Sequence, residues 1–284
     1  MRNRAGAAAS GWVVKVPAST ANIGAAFDAV ALALDLSLEI SDADGGAPAA
    51  PETHPAVRAF RGAGGVGAIA VRSQFPGGRG LGFSGAARVG GLLAAGVQRG
   101  ASVRDVRDKI LREATRLEGH ADNVAASLHG GVVAVAGGRV VQVPLGRELV
   151  VVVWIPEHET ATTGARRLLP DQVTFADATF NIGRAALLVA ALAAGDTSAL
   201  RVATEDRLHQ DRRLARARDA RVAIDAALAA GAHAAWLSGS GPSVAAFADP
   251  AAAGSIAAAL PAEGRACVVA IAEQGAMVTA KDAT

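Results

Sequence analysis

Residues 76 to 87 read Pro76-Gly77-Gly78-Arg79-Gly80-Leu81-Gly82-Phe83-Ser84-Gly85-Ala86-Ala87, a glycine-rich loop running into a segment of helical composition. A helix that begins there presents unpaired main-chain N–H groups and a partial positive charge. Glycines let that backbone approach a ligand closely, so the segment is chemically a phosphate cradle. In an Ala/Gly-rich chain the same glycines could instead serve turns and close helix packing. Gly80-x-Gly82-x-x-Gly85 matches the form of a dinucleotide fingerprint, but the loop does not follow its strand directly. Asp105, the acid about 20 positions later, falls in a predicted helix. A P-loop is excluded because no lysine lies between Lys15 and Lys109.

Lys15, Lys109 and Lys281 are the lysines among 28 basic residues, so cationic contacts to an anion should come from arginine or the backbone. A guanidinium fork suits carboxylates and phosphates. In the arginine-rich helical stretches around residues 166 and 213, a solvated side chain is the ordinary outcome. His120 and His129 lack metal-ligand spacing to another His or Cys, so zinc is not expected. His209 reads as a packed or hydrogen-bonded residue.

The elements that must position these groups follow from periodicity and breakers. Strands are expected at 12–16, 31–40, 66–72, 132–135, 140–143, 149–155, 234–237, 244–247 and 267–271, with a hairpin turn at Gly137-Gly138. Helices are expected at 55–61, 84–98, 103–117 and 251–260, and through most of 161–230 with loops near Pro170 and Gly195. Residues 41–53 read as a loop. This order predicts an α+β protein divided near residue 155, into units 1–155 and 156–284.

The composition, 51% apolar and 19% charged over 284 residues, suits a globular chain with a real core. A net charge of +2 with 4% aromatics argues against a nucleic-acid reader. No run reaches the ~18 uninterrupted apolar residues of a membrane span. The lone Cys267, in an apolar setting, fits packing in a reducing cytoplasm.

Two more segments carry a resemblance. Val16-Pro17-Ala18-Ser19-Thr20-Ala21-Asn22-Ile23-Gly24-Ala25-Ala26-Phe27-Asp28 and Leu237-Ser238-Gly239-Ser240-Gly241-Pro242-Ser243-Val244 resemble the first and third motifs of GHMP kinases, and residues 76–87 resemble the second. Glu118 to Ala125 with Gly130-Gly131 is similar to the branch of that superfamily whose acceptor is homoserine. The likeness continues through Thr162-x-x-x-Arg166, Phe180-Asn181 and Leu208-His209-Gln210-x-x-Arg213.

The resemblance implies an N-terminal domain like ribosomal protein S5 domain 2 and a ferredoxin-like C-terminal domain. It also implies transfer of a phosphoryl group from ATP, with Mg²⁺, to the side-chain hydroxyl of a homoserine-like alcohol. Arg79, Gly80, Leu81, Gly82, Phe83, Ser84, Gly85 and Ala86 would hold ATP, with Ser84 and Glu118 near the metal. Asn22, Asp28, His120, Arg166 and Arg213 would bind the acceptor. Asn123, Asp122 and Thr162 would serve the chemistry, Asn123 orienting the hydroxyl and Asp122 acting electrostatically. A cytoplasmic protein with no nucleic-acid or membrane partner is expected, and a homodimer is left open.

Three positions depart from the family pattern: Phe83 replaces a serine, Ala25-Ala26 replace Pro-Gly, and His54 stands where an asparagine contacts adenine. A Phe83 ring plugging the helix end would abolish the kinase reading. A kinase for another small alcohol, or a non-catalytic binder, are the alternatives.

Overall fold

The computed structural model describes residues 11–43, 47–158 and 162–280. Its first half opens with β1 (Trp12–Ala21) and β2 (Val30–Asp42), followed by α1 (Pro55–Gly62) and β3 (Ile69–Ser73). Next come α2 (Phe83–Gln98), α3 (Val103–Glu118), α4 (Asp122–His129), and the hairpin β4 (Val132–Ala136) and β5 (Arg139–Val143). The second half holds β6 (Val150–Pro156), α5 (Thr162–Arg166), α6 (Phe175–Ala194), α7 (Leu200–Ala203), α8 (Gln210–Leu214) and α9 (Arg218–Ala229). It ends with β7 (Ala234–Leu237), β8 (Val244–Ala248), α10 (Pro250–Ala258), β9 (Gly264–Ala270) and β10 (Met277–Ala280).

Two antiparallel sheets result. One is ordered β10-β1-β2-β4-β5, with β3 also on β2, and the other β7-β8-β6-β9. β1 is longer than its predicted run because Pro17 sits at a register shift between Pro17 and Ala18, where a missing N–H is tolerated. β10 was not expected from sequence. It pairs Trp12 with Ala280 through Lys15 with Met277, returning the chain end to the first sheet. β6 lies in the second sheet, so the expected division after residue 155 does not follow sheet membership.

One apolar cluster joins both sheets. It contains Val14, Val16, Leu32 and Leu38 from the first, and Val151, Val153, Trp236 and Phe247 from the second. Each such side chain contributes roughly 1.5–3 kcal/mol by leaving water. That shared core fixes the cleft between the sheets, because neither can shift without exposing the other's apolar face.

Local chemistry sets the helix ends that matter. Ser102 and Asp105 close a capping box at the start of α3, and Gly119 ends it in the left-handed region at φ 88°. The chain then turns within three residues into α4. The C-terminus of α3 and the N-terminus of α4 therefore both face the start of α2.

Candidate active site

The glycine loop is clamped from both sides. Gly80 has φ 75°, and a Cβ there would lie 2.2 Å from the Ser238 carbonyl oxygen. Ser238 Oγ donates to Gly80 O at 2.7 Å and lies 2.8 Å from Thr20 Oγ1, which accepts from Trp236 Nε1 at 3.0 Å. The first and third motifs thus meet under the second. Gly82 caps α2 at φ 68° with no side-chain acceptor on the helix amides. The N–H groups of Phe83, Ser84 and Gly85 have no intrahelical partner by the geometry of a first turn.

Expectations for this loop divide. Gly80, Gly82, Phe83 and Ser84 line a cavity of about 190 Å³, together with Asn22, Glu118, Asn123, Arg166, Arg213 and Gly239. Leu81 instead points into the core, and the Ala86 amide already donates to Gly82 O at 2.9 Å. The Arg79 guanidinium turns away to the carbonyls of Pro156 (3.0 Å) and Glu157, so this side chain ties the loop to the end of β6. The Phe83 ring does not plug the helix. It stands edge-on to His54 and Phe75, at 5.7 and 5.9 Å, and forms one wall of the cavity. His54 caps α1 by accepting from Ala56 N at 3.1 Å, and burial lowers its pKa.

At the mouth of the cradle Ser84 Oγ donates to Glu118 Oε1. Arg88, one turn along α2 and missed from the sequence, is the ion-pair partner of Glu118 Oε2. Its spacing from Ser84 was the available signal. Burial lowers the Arg88 pKa. A hydroxyl touching a carboxylate beside the phosphate loop is a hard oxygen donor set, which fits Mg²⁺.

Beyond it, Asp122 is wholly buried. Its Oδ1 accepts from Asn123 N at 2.8 Å and meets His120 Nδ1 at 2.7 Å, while Oδ2 has no hydrogen-bond partner. Ligand-type atoms of Asp28, His120 and Asp122 fall within 4.8 Å of one another, giving an anionic recess that suits an ammonium group. Ser19, also missed, donates to Asn123 Oδ1 at 2.8 Å. That bond occupies the asparagine's oxygen and leaves its NH₂ as the available donor.

Asn22 and Asp28 both hold left-handed backbone, φ 59° and 54°, which costs of order 1–3 kcal/mol each unless the surroundings enforce it. They enforce one another, because Asp28 N donates to Asn22 Oδ1 at 2.9 Å and Asn22 Nδ2 reaches Gly239 O at 3.0 Å. Ala25-Ala26 in place of Pro-Gly therefore still presents Asp28 to the cleft. Arg166 Nη2 lies 2.9 Å from both Asp28 oxygens. Arg213, only 5% exposed, donates from Nη1 to Gly239 O at 2.9 Å and leaves Nε buried without a partner. Both guanidinium groups stack on Phe27, at 5.4 and 5.2 Å. Arg213 is thus not the solvated arginine its local sequence suggests. Thr162 opens α5, but its side chain lies outside the described residues.

A strained loop, a helix N-terminus and the turn between β7 and β8 converge on one small charged cleft, which defines a phosphotransferase of the kind the motifs suggested. The family models for the GHMP kinases N terminal domain and GHMP kinases C terminal match residues 52–131 and 188–266. The chain belongs to the GHMP kinases. Within that family its sequence relatives carry a more particular name. It is 37% identical over 267 residues, 85% of each chain, to homoserine kinase of Caldanaerobacter subterraneus subsp. tengcongensis. It is 39% identical over 256 residues to that of Thermus thermophilus, covering 82% of this chain and 85% of the other. The crystal structure of homoserine kinase from Cytophaga hutchinsonii superposes with a TM-score of 0.81 at 28% identity, over 96% of this chain and 99% of that one. A mevalonate kinase at 11% identity and TM-score 0.67 shares the fold.

Proposed function

We propose that this chain transfers the γ-phosphoryl group of ATP to the side-chain hydroxyl of L-homoserine, giving O-phospho-L-homoserine on the route to threonine. The observation that carries this reading is that Arg166 and the buried Arg213 line the cavity that also holds the start of α2, with Arg166 resting on Asp28 of the Asp28, His120 and Asp122 recess. Arg166 and Asp28 are each other's partner. A zwitterionic amino acid offers the matching charges, a carboxylate for the guanidinium groups and an ammonium for the carboxylates. Mevalonate offers only the carboxylate, and a neutral sugar offers neither charge.

Phosphoryl transfer rests on positioning and charge stabilisation. The amides of residues 83–85 hold the phosphate oxygens, and the Asn123 NH₂ orients the acceptor oxygen toward them. Asp122, with Oδ2 unpartnered in a buried setting, supplies negative potential beside the ammonium and the reacting hydroxyl. Ser84 and Glu118 would hold Mg²⁺, which would supply neutralisation of phosphate charge. Arg88 keeps the Glu118 carboxylate turned toward Ser84.

Incubation with ATP, Mg²⁺ and a panel of alcohols is expected to show turnover of L-homoserine well above that of L-threonine, mevalonate or galactose. Turnover of a sugar or mevalonate with none of homoserine would refute the assignment. Homoserine binding by calorimetry without any ATP binding would assign a non-catalytic binder instead.

The cytoplasm is the compartment that supplies ATP to such a reaction, and the half-buried Cys267 thiol, raised in pKa by burial, suits a reducing one. A homodimer is supported by the outer face of α6. Phe175, Thr179, Ile182, Gly183, Ala186, Leu187, Ala190 and Ala194 are exposed along it, with no charge among them. Phe175 and Ile182 are 89% and 70% exposed. An antiparallel two-fold through the middle of the helix opposes Phe175 to Ala194, Thr179 to Ala190, Ile182 to Leu187 and Gly183 to Ala186. The two Ile182–Leu187 contacts then flank a close Gly183–Ala186 approach at the dyad, and each patch meets its own copy, as a two-fold contact requires. Ala186→Arg is expected to convert a dimer into a monomer in sedimentation velocity while leaving turnover within about twofold, since burying an unpaired charge at the dyad costs several kcal/mol. A wild-type monomer at 100 µM, roughly the upper range of weak dimers, would remove the dimer.

A further inference from the structure

His209 sits behind the acceptor-binding arginine, at the point where three separate segments meet. Its side chain is fully buried. Nε2 is 2.8 Å from Gly24 O in the loop between β1 and β2, an oxygen that can only accept, so Nε2 carries the proton. Nδ1 is then the acceptor, and Arg213 Nη1 lies 3.3 Å from it. The same Nη1 donates to Gly239 O of the β7–β8 turn. The imidazole also packs on Phe27 at 5.1 Å, the ring over which both arginines stack.

The backbone around His209 is fixed independently. The Asp206 carboxylate accepts from the amides of Leu208 (3.1 Å), His209 (2.8 Å) and Gln210 (2.7 Å), and from Asn181 Nδ2 (2.7 Å). Burial works to raise the Asp206 pKa, and the hydrogen bonds from the Gln210 and His209 amides and from Asn181 work to lower it. Gly24 is locked as well, since a Cβ there would lie 2.3 Å from the Thr204 backbone. Both ends of the imidazole bridge are therefore anchored, and the bridge can transmit direction to the guanidinium.

We propose that His209 is a positioning residue for acceptor recognition, a neutral Nε2–H imidazole whose Nδ1 aims Arg213 so that its unpartnered edge faces the acceptor carboxylate. This rests on the homoserine reading of the cleft. Protonation at Nδ1 would remove the acceptor and set two cations side by side. The charged groups around the ring are Asp206, with Oδ2 3.8 Å from Nε2, Arg213, and Asp28 across the cleft. Burial dominates and holds the His209 pKa below its ordinary value, against the pull of Asp206.

Two substitutions separate the two ends of the bridge. In His209→Gln the amide nitrogen can replace Nε2 on Gly24 O, but nothing replaces Nδ1. In His209→Asn the amide oxygen can replace Nδ1, but the Gly24 bond is lost. Losing a hydrogen bond to a charged group weakens binding by roughly ten- to a hundredfold. His209→Gln is therefore expected to raise the homoserine KM by roughly tenfold or more, with kcat and the ATP KM within about twofold, and His209→Asn is expected to recover most of that loss. Neither should change the KM for 3-aminopropan-1-ol, which lacks the carboxylate. An equal rise for homoserine and the amino alcohol, or identical behaviour of the two variants, would reduce His209 to packing.

A second measurement does not depend on the acceptor. Nitrogen-15 spectra of the imidazole should show the Nε2–H tautomer, with any titration displaced below the ordinary histidine value. An Nδ1–H tautomer, or titration near the ordinary histidine value, overturns the proposal even if homoserine is the substrate. The predicted spectrum with no homoserine turnover in the wild type would count against the assigned substrate, not against the bridge.

Discussion

Gly82→Val should abolish ATP-dependent phosphorylation, lowering kcat/KM by about a thousandfold or more while leaving a folded protein. Gly82 holds φ 68°, where a β-branched residue is a genuine outlier. Its Cβ would also lie 2.0 Å from Ser19 Oγ and 3.0 Å from Asn123 Oδ1. Valine must therefore break the bond by which Ser19 sets the Asn123 amide, and shift the first turn of α2. Losing one preorganised donor to a transferring group costs about 10²–10³ in rate, and this substitution disturbs both the phosphate amides and the hydroxyl-orienting amide. Steady-state kinetics read the loss, and a melting curve shows whether the fold survives. Gly254→Ala in α10, where a Cβ meets nothing within 4 Å, is the matched control. Turnover within tenfold of wild type would mean that the start of α2 does not hold the triphosphate.

Arg213→Ala has the second-largest expected effect, confined to one substrate. The guanidinium is buried, and its pKa is lowered first by that burial and then by Arg166, with Asp28, Asp206 and Asp122 opposing. A cation kept in such a place contributes through the anion it meets. Removing its fork from a carboxylate should raise the homoserine KM about a hundredfold, near 2.7 kcal/mol, with the ATP KM within about threefold. Arg213→Lys keeps the charge but loses the fork and the reach to Gly239 O, so an intermediate loss is expected. Initial rates with each substrate varied in turn measure the split. An unchanged homoserine KM in Arg213→Ala would take the arginine out of the site. Equal losses for ATP and homoserine would show that it supports the cleft as a whole.

Much of the site was legible because its carriers are local. The glycine loop, the short turn from Glu118 to Asn123 and the Ser238-Gly239 turn each announce themselves through residues whose backbone needs are unusual. What failed was side-chain direction inside those segments. Arg79 and Leu81 belong to the loop by position, yet one guanidinium reaches the carbonyls after β6 and one side chain fills the core. Ser19 and Arg88 carried no signal of their own, being a strand serine and one more arginine on a helix. Their roles exist only because α4 and α3 deliver Asn123 and Glu118 to them.

The amino-acid sequence by itself determined where α1, α2, α3 and α10 start and stop, where the hairpin turns, and which backbone could approach a phosphate, whereas α4 was not among the expected helices. Capping, glycine conformation and periodicity act over a few residues. The tertiary structure alone decided that β1 runs on past Pro17, that β10 closes the first sheet, that Phe83 leans toward His54 and Phe75, and that Arg213 is buried behind the acceptor pocket with His209 at its back. Those outcomes depend on partners up to more than 200 positions away. Such contacts form only once the two sheets share a core, and no local pattern encodes them.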